Sequence, residues 1–414
     1  MRISSLQAFQ NGIQGIQRNY AAAIRTNEQI SSGNRILTPA DDPVAAVRLM
    51  QLEQQQNMLG QYKNNLTAAN NSLAQEESTL NSVNTIMQRV RELAGEAGNG
   101  ALSQSDRQSI AAELREREDE LLGLMNSRNA RGEYLFSGFQ GKTQPFVRQD
   151  DGSFSYEGDE GQRQLQIASS LNVAISDSGK KIFENIPNAA RLDADLTSTP
   201  GSTLAVSAPL VQDEVAFAGS PAFPSGGIEI QFTAPPGNPK EYTIYDGATP
   251  VQTGVMDDDD KRQDTIVFRG VIMHFDGVPA GGETISVTAD PAREKQGVLD
   301  TIHQLRMALE DNPDSPEGNR ATRDAVAAAL TNIDHAMVVI DGTRGDIGAR
   351  MNVIATTLTD NEDVTLVNKS VQAELQEVDY PEALSKLAFQ SVILEAAQMS
   401  FVKVSQLNLF DKIR

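Results

Sequence analysis

The chain has 414 residues, enough for two or three domains, and 39% of them are hydrophobic, enough to build cores. With 5% aromatic residues, three His and no Cys, the composition excludes disulfides and thiolate zinc sites and favours helix packing by aliphatic side chains. The net charge of −21 falls almost wholly on residues 61–370, since residues 1–60 carry +1 and residues 371–414 carry −2. No basic stretch exists, so we expect no nucleic-acid partner.

The first predicted element is a long helix over the first 36 residues. Apolar side chains recur every seven residues in two rows, three residues apart, which is the spacing of a helix-on-helix seam. The rows contain Leu6, Ile13 and Tyr20, and Phe9, Ile16, Ala23 and Ile30. An ordinary amphipathic core helix has the same spacing, so that alternative stays open.

This N-terminal segment predicts neither a cleaved secretory signal nor a membrane anchor. Residues 1–7 contain no apolar core segment, and the chain has no run of about 18 apolar residues. We therefore expect no membrane insertion. The protein either stays in the cytosol or leaves by a route without a cleaved signal peptide.

A break with two prolines and two acidic residues separates the first helix from the second. Asp42 is typical of an N-cap and Pro43 of a first helical residue, so a long helix is predicted over residues 44–94. Ser105 and Gln108 predict a capping box for another helix, which would run to about residue 131. We interpret the break as a joint between domains, formed by Pro39, Asp41, Asp42 and Pro43.

From residue 133 the pattern changes to short alternating or aromatic segments between turns that contain Gly, which is typical of strands and hairpins. Pro, Gly, Ser and Thr are dense between residues 195 and 290, which predicts a small all-β insertion. The predicted strands cover residues 134–136, 154–156, 165–167, 228–233, 241–246, 264–276 and 283–289.

Helical patterns return at Asp290 and continue from about residue 317 to 376. A last helix, Glu382 to Leu409, again has two heptad rows, with Leu387, Leu394 and Phe401 in one row and Gln390, Ala397 and Val404 in the other. A lone long helix buries too little apolar surface to offset its backbone entropy. We therefore expect both ends to be poorly ordered in the monomer and helical when other subunits cover them.

None of the polar clusters predicts an active site. Asp257–Asp260 is typical of a solvated turn, and His274, His303 and His335 lie far apart without companion carboxylates. The tripeptide Arg344-Gly345-Asp346, known from cell adhesion, falls in a predicted helix. Because the motifs of serine hydrolases, zinc proteases and phosphate loops are also missing, we expect no catalytic residue, no cofactor and no metal.

Several segments resemble the bacterial flagellins and their relatives. The Pro-x-Asp-Asp-Pro form of residues 39–43, in place of the Lys-Asp-Asp-Ala form of filament flagellins, is similar to the branch of that family that joins the hook to the filament. Residues 195–290 carry no comparable match. The resemblance rests on Gln29-Ile30-Ser31-Ser32-Gly33-Asn34-Arg35-Ile36, Gly132-Glu133-Tyr134-Leu135-Phe136-Ser137-Gly138, Gly348-Ala349-Arg350-Met351-Asn352 and Leu394-Glu395-Ala396-Ala397-Gln398-Met399-Ser400-Phe401.

The resemblance implies a mainly α fold with a β insertion. Its parts would be terminal helices packed as a coiled coil (1–40 and 380–414), a helical middle domain with β-hairpins (41–194 and 291–379) and a variable outer all-β domain (195–290). The terminal helices would pack on each other and on neighbouring subunits. The residues expected in that interface are Leu6, Phe9, Ile13, Ile16, Tyr20, Leu387, Leu394, Phe401 and Val404.

The same resemblance implies a structural protein that is not an enzyme and that is secreted into the flagellum without a cleaved signal peptide. It would join the hook to the filament. The implied partners are further copies in a ring, a hook-associated protein on the hook side, flagellin on the filament side and a cytosolic export chaperone. Two alternatives stay open: a filament flagellin, and, less favoured, a secreted adhesin or enzyme module on flagellin-like ends.

Overall fold

The structure, a computed structural model, describes residues 2–257 and 263–410, without the side chains of residues 2–6, 8 and 404–410. It contains two compact units. The terminal unit comprises Met1–Leu66 and Ala355–Arg414, and the central unit comprises Thr67–Ile354. Leu6 and Val404, two expected interface positions, lie outside the residues whose side chains are described, and most of the run Asp257–Asp260 lies outside the described residues altogether.

The α-helices in chain order are α1 (Arg2–Ser32), α2 (Pro43–Ala97), α3 (Gln104–Met125), α4 (Glu214–Phe217), α5 (Val298–Asp311), α6 (Pro316–Gln376) and α7 (Tyr380–Phe410). A π-helical turn covers Lys180–Glu184, and a 3-10 turn covers Pro291–Arg293. The strands are β1 (Phe146–Arg148), β2 (Phe154–Tyr156), β3 (Gln164–Ala168), β4 (Leu171–Ala174), β5 (Ile186–Pro187), β6 (Leu192–Thr197), β7 (Ala205–Val206), β8 (Leu210–Val211), β9 (Ile228–Phe232), β10 (Glu241–Asp246), β11 (Thr249–Val255), β12 (Asp264–Phe268), β13 (Val271–Asp276), β14 (Thr284–Ala289) and β15 (Lys295–Gln296).

Helix α2 begins at Pro43, as predicted, but the start of α3 was predicted incorrectly. The capping box is formed by Ser103 and Asp106, whose side chains each accept a hydrogen bond from the other's backbone N–H. Asp314 accepts a further hydrogen bond, from the N–H of Gln104 at 3.1 Å. The N-cap of α3 is therefore two residues earlier than predicted. The helix ends at Met125, where Asn126 is the C-cap, and not near residue 131 as predicted.

Residues 192–289, here called the β region, form two packed sheets. The larger sheet has the strand order β11-β10-β9-β14-β6, and the smaller has the order β12-β13-β7, with β8 also paired to β13. Alternate side chains of both sheets point into one apolar core, in which the rings of Phe232 and Phe275 lie 6.4 Å apart. This core comes from the period-two alternation that predicted the strands.

Two strand predictions need correction, and several strands were not predicted, among them β6 and β11. Residues 264–276 form two strands, because Arg269 and Gly270 adopt positive φ angles and turn the chain into a hairpin. Residues 134–136 form no strand beyond an isolated bridge at Tyr134, since Phe136 is buried in a loop against Phe183.

In the terminal unit, α1 and α7 pack against each other. The structure describes both as helices over Arg2–Ser32 and Tyr380–Phe410. The expected loss of order in the free monomer stays a prediction.

Candidate assembly interface

Helices α1 and α7 are in contact, and two of the predicted heptad positions meet there. The rings of Phe9 and Phe401 lie 4.8 Å apart between centroids, with an interplanar angle of 39°. Ile13 and Ile16 on α1 are half-buried, as are Leu387, Leu394 and Phe401 on α7. We call the contact between the two helices the seam, and the remaining heptad positions stay predicted members of it.

A glycine that the sequence analysis did not single out shapes this seam. A Cβ atom on Gly12 would lie 3.3 Å from Cδ2 of Phe401, whereas no described atom lies within 4 Å of the same position on Gly15. The missing side chain of Gly12 lets the ring of Phe401 approach the backbone of α1. Glycine is unfavourable inside a helix, so its presence at residue 12 of α1 is the feature of the sequence that could have indicated a close contact there.

The outward faces of the same unit are also apolar. On α1, Tyr20 is 55% exposed, so it lies outside the seam with α7. Val44, Val47 and Met50, spaced three residues apart at the start of α2, are exposed as well. Exposed apolar groups of this extent mark an interaction surface. Five of the exposed apolar side chains of α7, here called the α7 outer face, are Leu384, Phe389, Val392, Met399 and Val402.

The predicted joint is an ordered turn. The carboxylate of Asp41 accepts hydrogen bonds from the N–H of Leu37 at 2.9 Å and of Thr38 at 3.0 Å, and it pairs with the guanidinium of Arg25. Asp42 accepts from the N–H of Ala45 at 3.0 Å, as an N-cap of α2 should. Pro39 and Pro43 are exposed at either end of this turn.

A second set of joint residues was missed by the sequence analysis. The link between α1 and α2 pairs with the link between α6 and α7: the N–H of Arg35 donates to the carbonyl of Gln376 at 2.7 Å, and the N–H of Val378 donates to the carbonyl of Gly33 at 3.0 Å. Gly33 has a φ of 73°, which favours glycine. That residue was the only local signal for this pairing.

The expected polar clusters fall on separate elements. His274 lies on β13, His303 on α5 and His335 on α6, and Arg344 pairs with Glu77 on α2. Over residues 2–257 and 263–410, no three His, Asp or Glu side chains are placed to hold a metal ion. No helix in this part of the chain is long and apolar enough to cross a membrane.

Comparisons with known proteins agree with this architecture. Residues 3–141 match the model of the bacterial flagellin N-terminal helical region. Flagellar hook-associated protein 3 of Salmonella typhimurium is 35% identical over 195 residues, which are 47% of this chain and 61% of that protein. Over these residues the chain is similar to the flagellins and their relatives.

Solved structures extend this likeness to most of the length of the chain. Flagellar hook associated protein-3 from Legionella pneumophila has a TM-score of 0.64 and 26% identity, covering 79% of this chain and 98% of that one. The flagellar junction protein FlgL from the same organism has a TM-score of 0.61 and 27% identity, covering 80% and 100%. The predicted flagellin-like fold, mainly α with a β insertion, is confirmed.

Proposed function

We propose that this chain is a structural protein of the bacterial flagellum that joins the hook to the filament through its terminal helices. The observation that carries the proposal is the apolar outer surface of the terminal unit, in a chain similar to hook-associated and junction proteins. The residues expected to bind are those of the seam together with the exposed faces around it. The proposed assembly segments are residues 1–40 and 380–414. The proposed helical domain with β-hairpins comprises residues 41–194 and 291–379, and the proposed outer β domain comprises residues 195–290.

Energetic magnitudes support assembly from several copies. Complete burial of the five side chains of the α7 outer face would contribute roughly 8–15 kcal/mol, at about 1.5–3 kcal/mol each. Association of two proteins costs about 4–15 kcal/mol. A single neighbour on this face is therefore marginal, whereas several copies packed around one helix pair are favourable. The proposed partners are further copies in a ring, a hook-associated protein on one side and flagellin on the other.

The α7 outer face also supports binding of an export chaperone before assembly. Exposed apolar groups such as Phe389 and Val392 would otherwise promote aggregation in the cytosol. The chain would then leave through the flagellar export apparatus, without a cleaved signal peptide, and act outside the cell. Removal of residues 382–414 should abolish chaperone binding, measured with the purified chaperone of the same host.

The second candidate is a filament flagellin, which shares the terminal helices. The Pro-x-Asp-Asp-Pro form of residues 39–43 favours the junction role instead. An enzyme or adhesin module is the least favoured candidate, because the sequence lacks the motifs of serine hydrolases, zinc proteases and phosphate loops.

Deletion of the gene in its host, with electron microscopy of the cell surface and an assay of the medium for flagellin, tests the proposal. A junction role predicts hooks without filaments and flagellin released into the medium, with filaments restored by re-expression. Normal filaments in the deletion strain would contradict it. Hooks without any released flagellin, with filaments restored only by stoichiometric expression of this chain, would support the filament flagellin.

A further inference from the structure

Two short segments connect the β region to the helices of the central unit, and we call them the neck. The chain leaves the helices through residues 185–191 and returns through residues 290–297. Strands β5 and β15 pair within it, the N–H of Asn188 donates to the carbonyl of Glu294 at 3.0 Å, and the N–H of Asp290 donates to the carbonyl of Arg191 at 2.9 Å. Because these hydrogen bonds join the two segments of the neck, a movement at its helical end shifts both segments together.

Two carboxylates face each other at that base. Glu184 ends the π-helical turn, Asp300 lies in the first turn of α5, and these two elements are in contact. Oε2 of Glu184 and Oδ2 of Asp300 lie 2.8 and 3.2 Å from one point, the position of a Cβ atom on Gly297. A side chain at residue 297 would force the carboxylate of Glu184 to move.

The pair is poorly compensated by its surroundings. The carboxylate of Glu184 forms no hydrogen bond or ion pair with another described residue, and Asp300 accepts one hydrogen bond, from the N–H of Phe154 at 3.0 Å. Lys180, whose charge acts on Glu184, is paired with Glu160 at 2.6 Å. Two neighbouring carboxylates repel when both are ionised.

The other charged groups around the pair are either engaged or exposed. The guanidinium of Arg293 pairs with Asp290 and Asp193, and Nδ1 of His303 accepts a hydrogen bond from Arg306. Lys295 is exposed, where water screens its charge. The groups that face the pair or line its open cavity, of about 680 Å³, are Tyr156, Lys180, Arg293, Lys295 and His303, with Asp151 and Glu118 acting on Asp300 from a greater distance.

Both groups have raised pKa values. Burial and then the neighbouring charge of Asp300 raise the pKa of Glu184 to about 7. Burial also raises the pKa of Asp300, even though a carboxylate in the first turn of a helix is normally favoured in its charged form. The cavity gives solvent protons access to both groups.

We propose that Glu184 and Asp300 form a pH-sensitive contact that controls the mobility of the β region relative to the helices of the central unit. With one of the two carboxyl groups protonated, the repulsion is absent and the π-helical turn stays against α5. With both ionised, repulsion separates the two elements and loosens the neck. Because the pair binds its proton more tightly in the folded state, its stabilisation is present in acid and is lost as the pH rises through the titration of the pair. This inference concerns the isolated chain and does not depend on the junction role.

The chain lacks cysteine, so two labels can be introduced without a background. Val267→Cys on β12 and Val338→Cys on α6 place spin labels on exposed positions of the β region and of the helices. Electron–electron distance measurements should show a broader distribution at pH 8.5 than at pH 5.5. In the same labelled chain, Glu184→Gln should keep the narrow distribution at both pH values. Glu294→Gln, an exposed residue of the same neck, is the matched control and should broaden as the unchanged chain does.

Asp300→Asn is a second variant, for use if Glu184→Gln fails to fold. Its asparagine oxygen still accepts the hydrogen bond from the N–H of Phe154, so it should fold and keep the narrow distribution at both pH values. A distribution with the same width at both pH values in the unchanged chain would overturn the proposal. Equal broadening in both pair variants would overturn it as well, because the pH dependence would then come from other groups.

Discussion

The ring of Phe9, near the start of the chain, lies 4.8 Å from the ring of Phe401, near its end. Phe401 is half-buried by this contact and by the backbone of α1 beside Gly12. The two ends of the chain thus form one helix pair within the terminal unit. Its stability depends on a few aromatic and aliphatic side chains, which makes it sensitive to single substitutions.

Phe401→Asp should separate α1 from α7 and abolish assembly. A charge replaces an aromatic ring in a half-buried seam, at a cost of a few kcal/mol. Re-expression in a deletion strain should restore no filaments, while proteolysis should leave the central unit as resistant as in the unchanged chain. Leu394→Asp should behave alike, and Ser400→Asp, on an exposed neighbour, should restore filaments. Filaments restored by Phe401→Asp would refute the assignment of the seam.

Gly12→Val should weaken the seam, and Gly15→Val should not. The added side chain at residue 12 meets Phe401 within 3.3 Å, whereas no described atom lies within 4 Å at residue 15. Both substitutions gain similar helix propensity, so the pair isolates the steric effect. The measurement is the protease resistance of α1 and α7. Equal resistance in the two variants would show that the ring of Phe401 does not restrict the size of the side chain at residue 12.

Asp42→Ala should destabilise the start of α2 by about 1 kcal/mol, because the N–H of Ala45 loses its acceptor. Asp42→Asn keeps an oxygen that can accept this hydrogen bond, so it should retain most of the stability. Urea unfolding of the two variants measures the difference. A loss of the same size in both would mean that the negative charge of Asp42, beside Arg35, matters more than the cap.

Glu76 on α2 should make the central unit less stable as the pH rises. It is 2% exposed, and burial followed by the charge of Asp177 raises its pKa to about 8. Because the folded state then holds a proton that the unfolded chain releases above about pH 4.5, unfolding becomes easier between pH 4.5 and 8, by up to ~1.4 kcal/mol per pH unit.

Glu76→Gln should lower this slope in urea unfolding, most clearly between pH 7 and 8, above the range in which Glu184 also contributes. Its matched control is Glu77→Gln, since the adjacent Glu77 is partly exposed and paired with Arg344, and it should keep the slope. An unchanged slope in Glu76→Gln would assign the pH dependence to another group.

Local patterns were sufficient for some elements and ambiguous for others. Asp42 and Pro43 identified the start of α2, because an N-cap and its proline act within one helical turn. At α3 the sequence predicted a capping box at Ser105 and Gln108, whereas it forms at Ser103 and Asp106, where Asp314, more than two hundred residues away, also accepts a hydrogen bond from the N–H of Gln104. Tyr134-Leu135-Phe136 has the composition of a strand but lies in a loop, because its burial comes from the rest of the central unit.

The sequence by itself determined the heptad rows of both ends, the cap at the start of α2 and the alternation in much of the β region, because each depends on periodicities and hydrogen bonds within a few residues. Only the tertiary structure decided that Gly12 adjoins Phe401, that Glu76 is buried beside Asp177 and that Glu184 faces Asp300. These contacts join segments a hundred or more residues apart. Their geometry follows from how whole helices pack, which no local pattern encodes.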